Sequence, residues 1–265
     1  MSEIPSKLHI VAVGSSFAAG PGLQPLSNTD AKRSSVNYPS LLARSLGADL
    51  TDLTVSGATL STLLRNDQVA GSTTFPPQIS QIPSTADIVT LTSGGNDLQY
   101  IGTLMRQSAV GTAWIGPLLN LLLQCMLPTP DQAIPSDEEL TSRFVQAIDA
   151  IHQAAPKARI LLVTYLTCLG THIKPGINTQ LSQKQIEAAQ SVAERLRQCY
   201  IKAHEQRSDV CELVDVSEGS KAHGIGSEEE WVCGFSVNML WQGVAPFHPT
   251  YKGMEHVARR IQQVL

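Results

Sequence analysis

The sequence predicts an α/β fold, a three-layer α/β/α sandwich built on about five mostly parallel strands, and three observations lead there. Short apolar, β-branched runs alternate with longer amphipathic stretches, the order expected of βαβ crossovers around a sheet covered on both faces. Three of those runs stop in turns that combine glycine with polar side chains: Gly14-Ser15-Ser16, Ser56-Gly57-Ala58-Thr59 and Ser93-Gly94-Gly95-Asn96-Asp97. The composition fits as well. With 265 residues, 42% hydrophobic and 16% charged, and no visible linker, the chain suits one large domain over 1–265 with a sizeable core.

The first strand, residues 9–13, lies within VAVGSSFAAGPG, where small residues follow two hydroxyls and let a backbone or a substrate come close. Open α/β sheets place ligands at the carboxyl ends of their strands, so Ser16 is the candidate nucleophile. A plain strand-to-helix turn uses the same residue types, and the rest of the chain has to decide. Leu41, Leu42 and Leu46 give residues 38–46 the spacing of an amphipathic helix. Residues 50–55 read as the second strand, 78–82 as a short helix and 88–92 as the third strand. Residues 98–135 are apolar and irregular. Ser136 caps a helix over 137–154, with Glu138 and Glu139 in its first turn. A fourth strand covers 160–165, a long helix capped by Ser182 or by Asn178-Thr179 covers 181–204, and a fifth strand covers 210–214. Residues 217–244 read as loop and hold His223, Trp231, Cys233 and Trp241. A last helix spans 249–265 with Pro249 in its first turn, and His248 sits immediately before it.

Several classes of function are excluded. The formal net charge is −4 and no Lys/Arg cluster has the density of a nucleic-acid groove. The most apolar stretch, 114–127, is interrupted by Pro117, Asn120 and Gln124 and is shorter than the ~20 residues of a membrane span, so no transmembrane segment is expected. The N-terminus, MSEIPSKLHI, has no apolar signal core, which makes a cytoplasmic location the expectation. The five cysteines are odd in number and widely spaced, with no metal-ligand pattern, so buried free thiols are expected and no metal. Oligomeric state is not written in the sequence.

Parallel strands bring Ser16, Gly57 and Asn96 to one sheet edge. Acyl transfer needs a nucleophile, a base within hydrogen-bond reach and donors aimed at the developing oxyanion. Ser16 offers the hydroxyl and His248 the base. The N–H groups of Ser16 and Gly57 and the amide of Asn96 offer three donors, with Gly94-Gly95 leaving room for a substrate. The four blocks GSSFAAGPG, VSGAT, GGND and FHPT, in this order over 11–256, resemble the SGNH hydrolases of the GDSL esterase/lipase superfamily. The resemblance implies a flavodoxin-like fold and a cofactor-free serine hydrolase. It would cleave small-molecule or lipid carboxylic esters through an acyl-enzyme, with Ser16, Gly57 and Asn96 as the oxyanion hole.

Two departures stand out. Ser15 occupies a position where the family usually has Asp, and Ala245 stands where D-x-x-H would put the acid of a catalytic triad. That acid orients the imidazole, fixes its tautomer and stabilises the imidazolium. A backbone carbonyl, that of Ala245 or a nearby residue, can do the first two and does the third less well. The expectation is a Ser16–His248 dyad whose base protonates near the ordinary imidazole value of ~6.5. Asp97 reads as a local backbone anchor and His223 as a structural loop histidine, while neither Asp97 nor Glu255 sits at the family's acid position. The apolar 98–127 segment favours acyl or lipid esters over sugars. Two alternatives stand beside this reading. One is a catalytically dead family member, suggested by Ala245. The other is a nucleotide- or flavin-binding module, although GSSFAAGPG fits neither G-x-G-x-x-G nor a phosphate loop.

Overall fold

The architecture follows from which strands are buried on both faces. In the computed structural model, which describes residues 7–111, 121, 133–236 and 243–265, β1 (His9–Gly14) carries Ile10, Val11, Ala12 and Val13 with no solvent exposure. Such a strand belongs in the middle of a covered parallel sheet. Two short antiparallel pairs, β2 (Leu26–Asn28) with β3 (Arg33–Ser34) and β5 (Gln68–Ala70) with β6 (Thr73–Phe75), lie outside that sheet. The sheet itself adds β4 (Asp49–Asp52), β7 (Ile88–Thr92), β8 (Arg159–Val163) and β9 (Cys211–Val214) in the order β4-β1-β7-β8-β9, all parallel.

By rank along the chain that order is 2-1-3-4-5, the flavodoxin-like arrangement. From β1 the chain moves outward to β4, and from β7 it moves the other way through β8 and β9. Right-handed crossovers therefore put the connecting helices on opposite faces. The direction reverses between β1 and β7, and the crevice outside the carboxyl ends at such a switch point is where this fold binds ligands. The register aligns Gly14 with Thr92, so the turns after β1 and β7 emerge side by side.

The helices are α1 (Ser16–Ala19), α2 (Tyr38–Leu46), α3 (Leu60–Leu64), α4 (Tyr100–Val110), α5 (Asp137–Ala154), α6 (Gln183–Gln206), α7 (Ser217–Ser220) and α8 (Tyr251–Gln262). α2 packs against α8, and α5 against α6. The Ser136 side chain accepts from Glu139 N and caps α5 as expected. Ser182 and Gln185 form a reciprocal capping box at the start of α6.

Several sequence readings shift, the fourth strand ending at Val163 and the long helix running Gln183–Gln206 among them. The second strand ends at Asp52 instead of residue 55, because the Asp52 carboxylate accepts from both Thr54 N and Thr54 Oγ1 and turns the chain. The last helix starts at Tyr251. Thr250 is its N-cap, accepting from Gly253 N, while Pro249 lies opposite Val232 in an isolated antiparallel bridge. The stretch read as loop after 217 holds α7 and a 3-10 turn, Lys221–His223. Cys125, Trp241 and, Leu121 apart, the apolar 114–127 stretch lie outside the described residues. The four described cysteines are free, and no described helix is long and apolar enough to cross a membrane.

Candidate active site

Three turns meet at the switch point, and long-range polar contacts hold each one. β1 ends where a Cβ on Gly14 would stand 2.3 Å from Thr92 O, so only glycine fits. Gln78 clamps that glycine, accepting from Gly14 N at 2.7 Å and donating to Gly14 O at 3.0 Å. Ser15 N donates to Thr92 O at 2.9 Å. The Ser15 hydroxyl turns inward, 2.8 Å from the phenol of Tyr165, which also accepts from Gly95 N at 3.3 Å. Ser15 is thus occupied in joining the first turn to the third. Ser16, the first residue of α1, is left with a hydroxyl that has no hydrogen-bond partner among the described residues.

In the second turn Gly57 is exposed and adopts φ 86°, a conformation that a residue with a Cβ reaches only with strain. Its N–H is free of partners among the described residues. Asn96 Nδ2 donates to Ala58 O at 2.9 Å, which ties the third turn to the second and leaves its other amide hydrogen available. Asp97 is buried and accepts from Leu60 N at the start of α3, at 3.1 Å, while Arg143 faces its other oxygen at 3.2 Å. Burial pushes the Asp97 carboxyl up, and the Leu60 and Arg143 contacts oppose that. It anchors backbone, as its position in the turn suggested.

The Gly94-Gly95 pair also has a packing role. A Cβ on Gly94 would stand 2.8 Å from Phe144 Cζ, and one on Gly95 2.8 Å from the Tyr165 ring. These glycines exist so that aromatic side chains can pack against the turn. A Gly95→Ala variant is expected to lose about 1–3 kcal/mol of stability through this overpacking, read as a lower Tm in thermal unfolding. An unchanged Tm would mean that Tyr165 moves aside freely.

His248 is buried, and its environment explains its chemistry. Phe247 sits in the left-handed region at φ 59°, a conformation costing about 1–2 kcal/mol for a side chain of this size. Two backbone bonds hold it there: Phe247 N donates to Cys233 O at 2.9 Å and Cys233 N to His248 O at 3.1 Å. The bend brings the carbonyl of Pro246 to 2.8 Å from His248 Nδ1. Of the carbonyls the sequence left open, that of Ala245 or of a nearby residue, Pro246 makes this contact. Ala245 O also accepts from the Cys233 thiol, at 3.0 Å. Burial pushes the imidazole down to about 4; the carbonyls of Pro246 and, less, Ala245 oppose it, and the Lys32 charge adds to it. The His248 ring lies 5.7 Å from Phe17, which stacks on Tyr165 at 4.1 Å, so an aromatic wall joins the base to the first and third turns. Glu255 is on α8, paired with Lys252 and Arg259. His223 stacks on Trp231, which stacks on His256, a structural cluster apart from these turns.

Tyr165 and Gln78 are site-forming residues that the sequence reading did not single out. Tyr165 was placed at the carboxyl end of the fourth strand, and that location was the available signal. Tyr165 also borders a cavity of about 370 Å³ between the end of β8 and α6, lined by Leu166, Leu169, Ala193 and Leu196 with Arg197 and Lys221 among its polar residues. None of Ser16, Gly57, Asn96 or His248 lines it. Among the described residues no group of three or more His, Cys, Asp or Glu could hold a metal ion.

A flavodoxin-like sheet with a serine, a glycine N–H and an asparagine amide at its switch point defines the SGNH class of hydrolase. The chain belongs to the GDSL-like lipase/acylhydrolase family, whose sequence model matches residues 12–256, and it is a carboxylic ester hydrolase. It is 27% identical over 270 residues to Lipase 2 of Streptomyces coelicolor, spanning 97% of this chain and 86% of that protein. The same fold occurs in an extracellular lipase from Streptomyces rimosus, with a TM-score of 0.70, 21% identity and coverage of 97% of this chain and 100% of that one. It occurs also in phospholipase A1 from Streptomyces albidoflavus, with a TM-score of 0.73, 19% identity and coverage of 97% and 99%.

Proposed function

We propose that the protein hydrolyses acyl or lipid esters through an acyl-enzyme on Ser16, with His248 as general base and no carboxylate behind it. The observation that carries this reading is the 2.8 Å contact from His248 Nδ1 to Pro246 O. A carbonyl can only accept, so Nδ1 carries the hydrogen in that contact and Nε2 keeps the lone pair. Nε2 takes the Ser16 proton as Oγ attacks the ester carbonyl. The N–H groups of Ser16 and Gly57 and the Asn96 amide hold the negative charge that develops on oxygen. The imidazolium returns its proton to the departing alcohol, and His248 then activates the water that releases the acid. No direct hydrogen bond joins Ser16 Oγ to His248 in this structure; the proposed mechanism forms that contact in the Michaelis complex.

The test is hydrolysis of p-nitrophenyl esters of increasing chain length, together with labelling by an alkyl fluorophosphonate and peptide mapping of the adduct. Hydrolysis with a single adduct on the Ser16 peptide is the expected outcome. An inactive protein, or an adduct elsewhere, overturns the reading. A preference for medium or long chains would support longer-chain acyl esters over acetyl esters.

A further inference from the structure

We propose that Gln68 is a positioning residue for the oxyanion hole: by holding the carbonyl of Ser56 it aims the N–H of Gly57. The assignment rests on the esterase reading above and goes further by naming what sets the direction of one of its donors.

Gln68 Nε2 donates to Ser56 O at 2.9 Å. The Ser56 carbonyl and the Gly57 N–H belong to one peptide unit. That unit is planar and trans, so its C=O and N–H point in opposite directions and fixing one fixes the other. The hold is needed at this position. Gly57 is exposed, has φ 86° and lacks a Cβ, so its own side chain does nothing to restrict the rotation of the peptide. The amide can serve in only one orientation, since a flipped Gln68 would set Oε1 against Ser56 O. Gln68 Oε1 itself is buried and accepts from nothing among the described residues, so the bond to Ser56 is the only one this amide makes there.

The other side of the residue is held as well. Ser56 N donates to Ala31 O at 2.9 Å. Asp30, the residue before that acceptor, takes the hydroxyls of Ser72 at 2.9 Å and Thr73 at 2.6 Å and so fixes the β5–β6 hairpin that carries Gln68. One short segment, residues 30–31, therefore sets the position of the Ser56 amide directly and that of its carbonyl through the hairpin. Nothing in this arrangement serves the hydrophobic core. Its consequence is the direction of one N–H that has no partner among the described residues and stands at the carboxyl end of the sheet.

An oxyanion donor matters most at the geometry of the tetrahedral intermediate, so misaiming it lowers kcat more than it raises KM. Gln68→Met keeps the length of the side chain and loses the donor. Gln68→Glu places a carboxylate against Ser56 O. Steady-state hydrolysis of a p-nitrophenyl ester at pH 8 is expected to show kcat lowered about 10- to 100-fold in Gln68→Met, against the 10²–10³ typical of deleting a donor outright. KM should stay within about twofold and Tm should be unchanged, and Gln68→Glu should lose at least as much kcat. Two results overturn the assignment while leaving the esterase reading intact: kcat within about threefold of wild type in both variants, or a loss that follows a fall in Tm and a rise in KM. A wild-type protein with no Ser16-dependent hydrolysis overturns both.

Discussion

Replacing Ser16 with alanine is expected to reduce kcat for ester hydrolysis by at least ~10⁴-fold, and replacing His248 with alanine by a similar factor. The two groups act on one proton, so the double variant is expected to be little worse than either single one. Residual activity above background should persist in all three, because the N–H of residue 16, the Gly57 N–H and the Asn96 amide survive the substitutions. Stability should hardly change in Ser16→Ala. The Ser16 hydroxyl has no hydrogen-bond partner among the described residues, so its removal orphans no buried group. Rates corrected for spontaneous hydrolysis, with thermal unfolding of each variant, check this. A Ser16→Ala protein within tenfold of wild type, or a double variant whose loss is the product of the two single losses, would show that Ser16 and His248 do not form one catalytic unit.

What the sequence made legible was local. Gly14, Gly57 and Asn96 each follow a short apolar run, and alternation of strands with helices was enough to line them up along one edge. Caps were legible for the same reason: Ser136 and Ser182 lie within three residues of the amides they serve. The contacts that give those turns their shape join residues far apart in sequence. Ser15 meets Tyr165 across 150 positions, and Gln78 meets Gly14 across 64. Periodicity carries no information about such pairs. Gly94 and Gly95 show the consequence, since the turn alone does not reveal that Phe144 and Tyr165 pack against it. The choice among carbonyls near Ala245 was open for another reason. Backbone carbonyls are present at every residue, and only the left-handed bend at Phe247 selects Pro246.

The pH dependence follows from that selection. An ordinary imidazole base loses activity near pH ~6.5, but burial holds His248 down to about 4. The neutral ring is the competent base, so kcat/KM is expected to stay level down to pH 5 and to fall through about 4, provided circular dichroism shows the fold intact. The same displacement is a stability term. Because the folded value is lowered, the unfolded chain takes up the proton first as pH falls. A contribution of about 3 kcal/mol is present above pH ~6.5 and is lost progressively as the pH drops to about 4. The cost of this arrangement falls on catalysis. The Pro246 carbonyl orients the ring but brings no negative charge, and a base this weak drives proton abstraction from Ser16 less strongly than one matched to neutral pH. Ala245→Asp tests that account, since it restores a carboxylate three residues before the histidine. If the new side chain reaches Nδ1, its charge offsets part of the desolvation of the imidazolium. The acid limb should then move up by one or more pH units, and kcat at pH 8 should rise. A wild-type limb near 6.5 would sink the burial argument. An unmoved limb in Ala245→Asp, with the fold retained, would mean that the Pro246 carbonyl keeps the ring and the new acid stays outside.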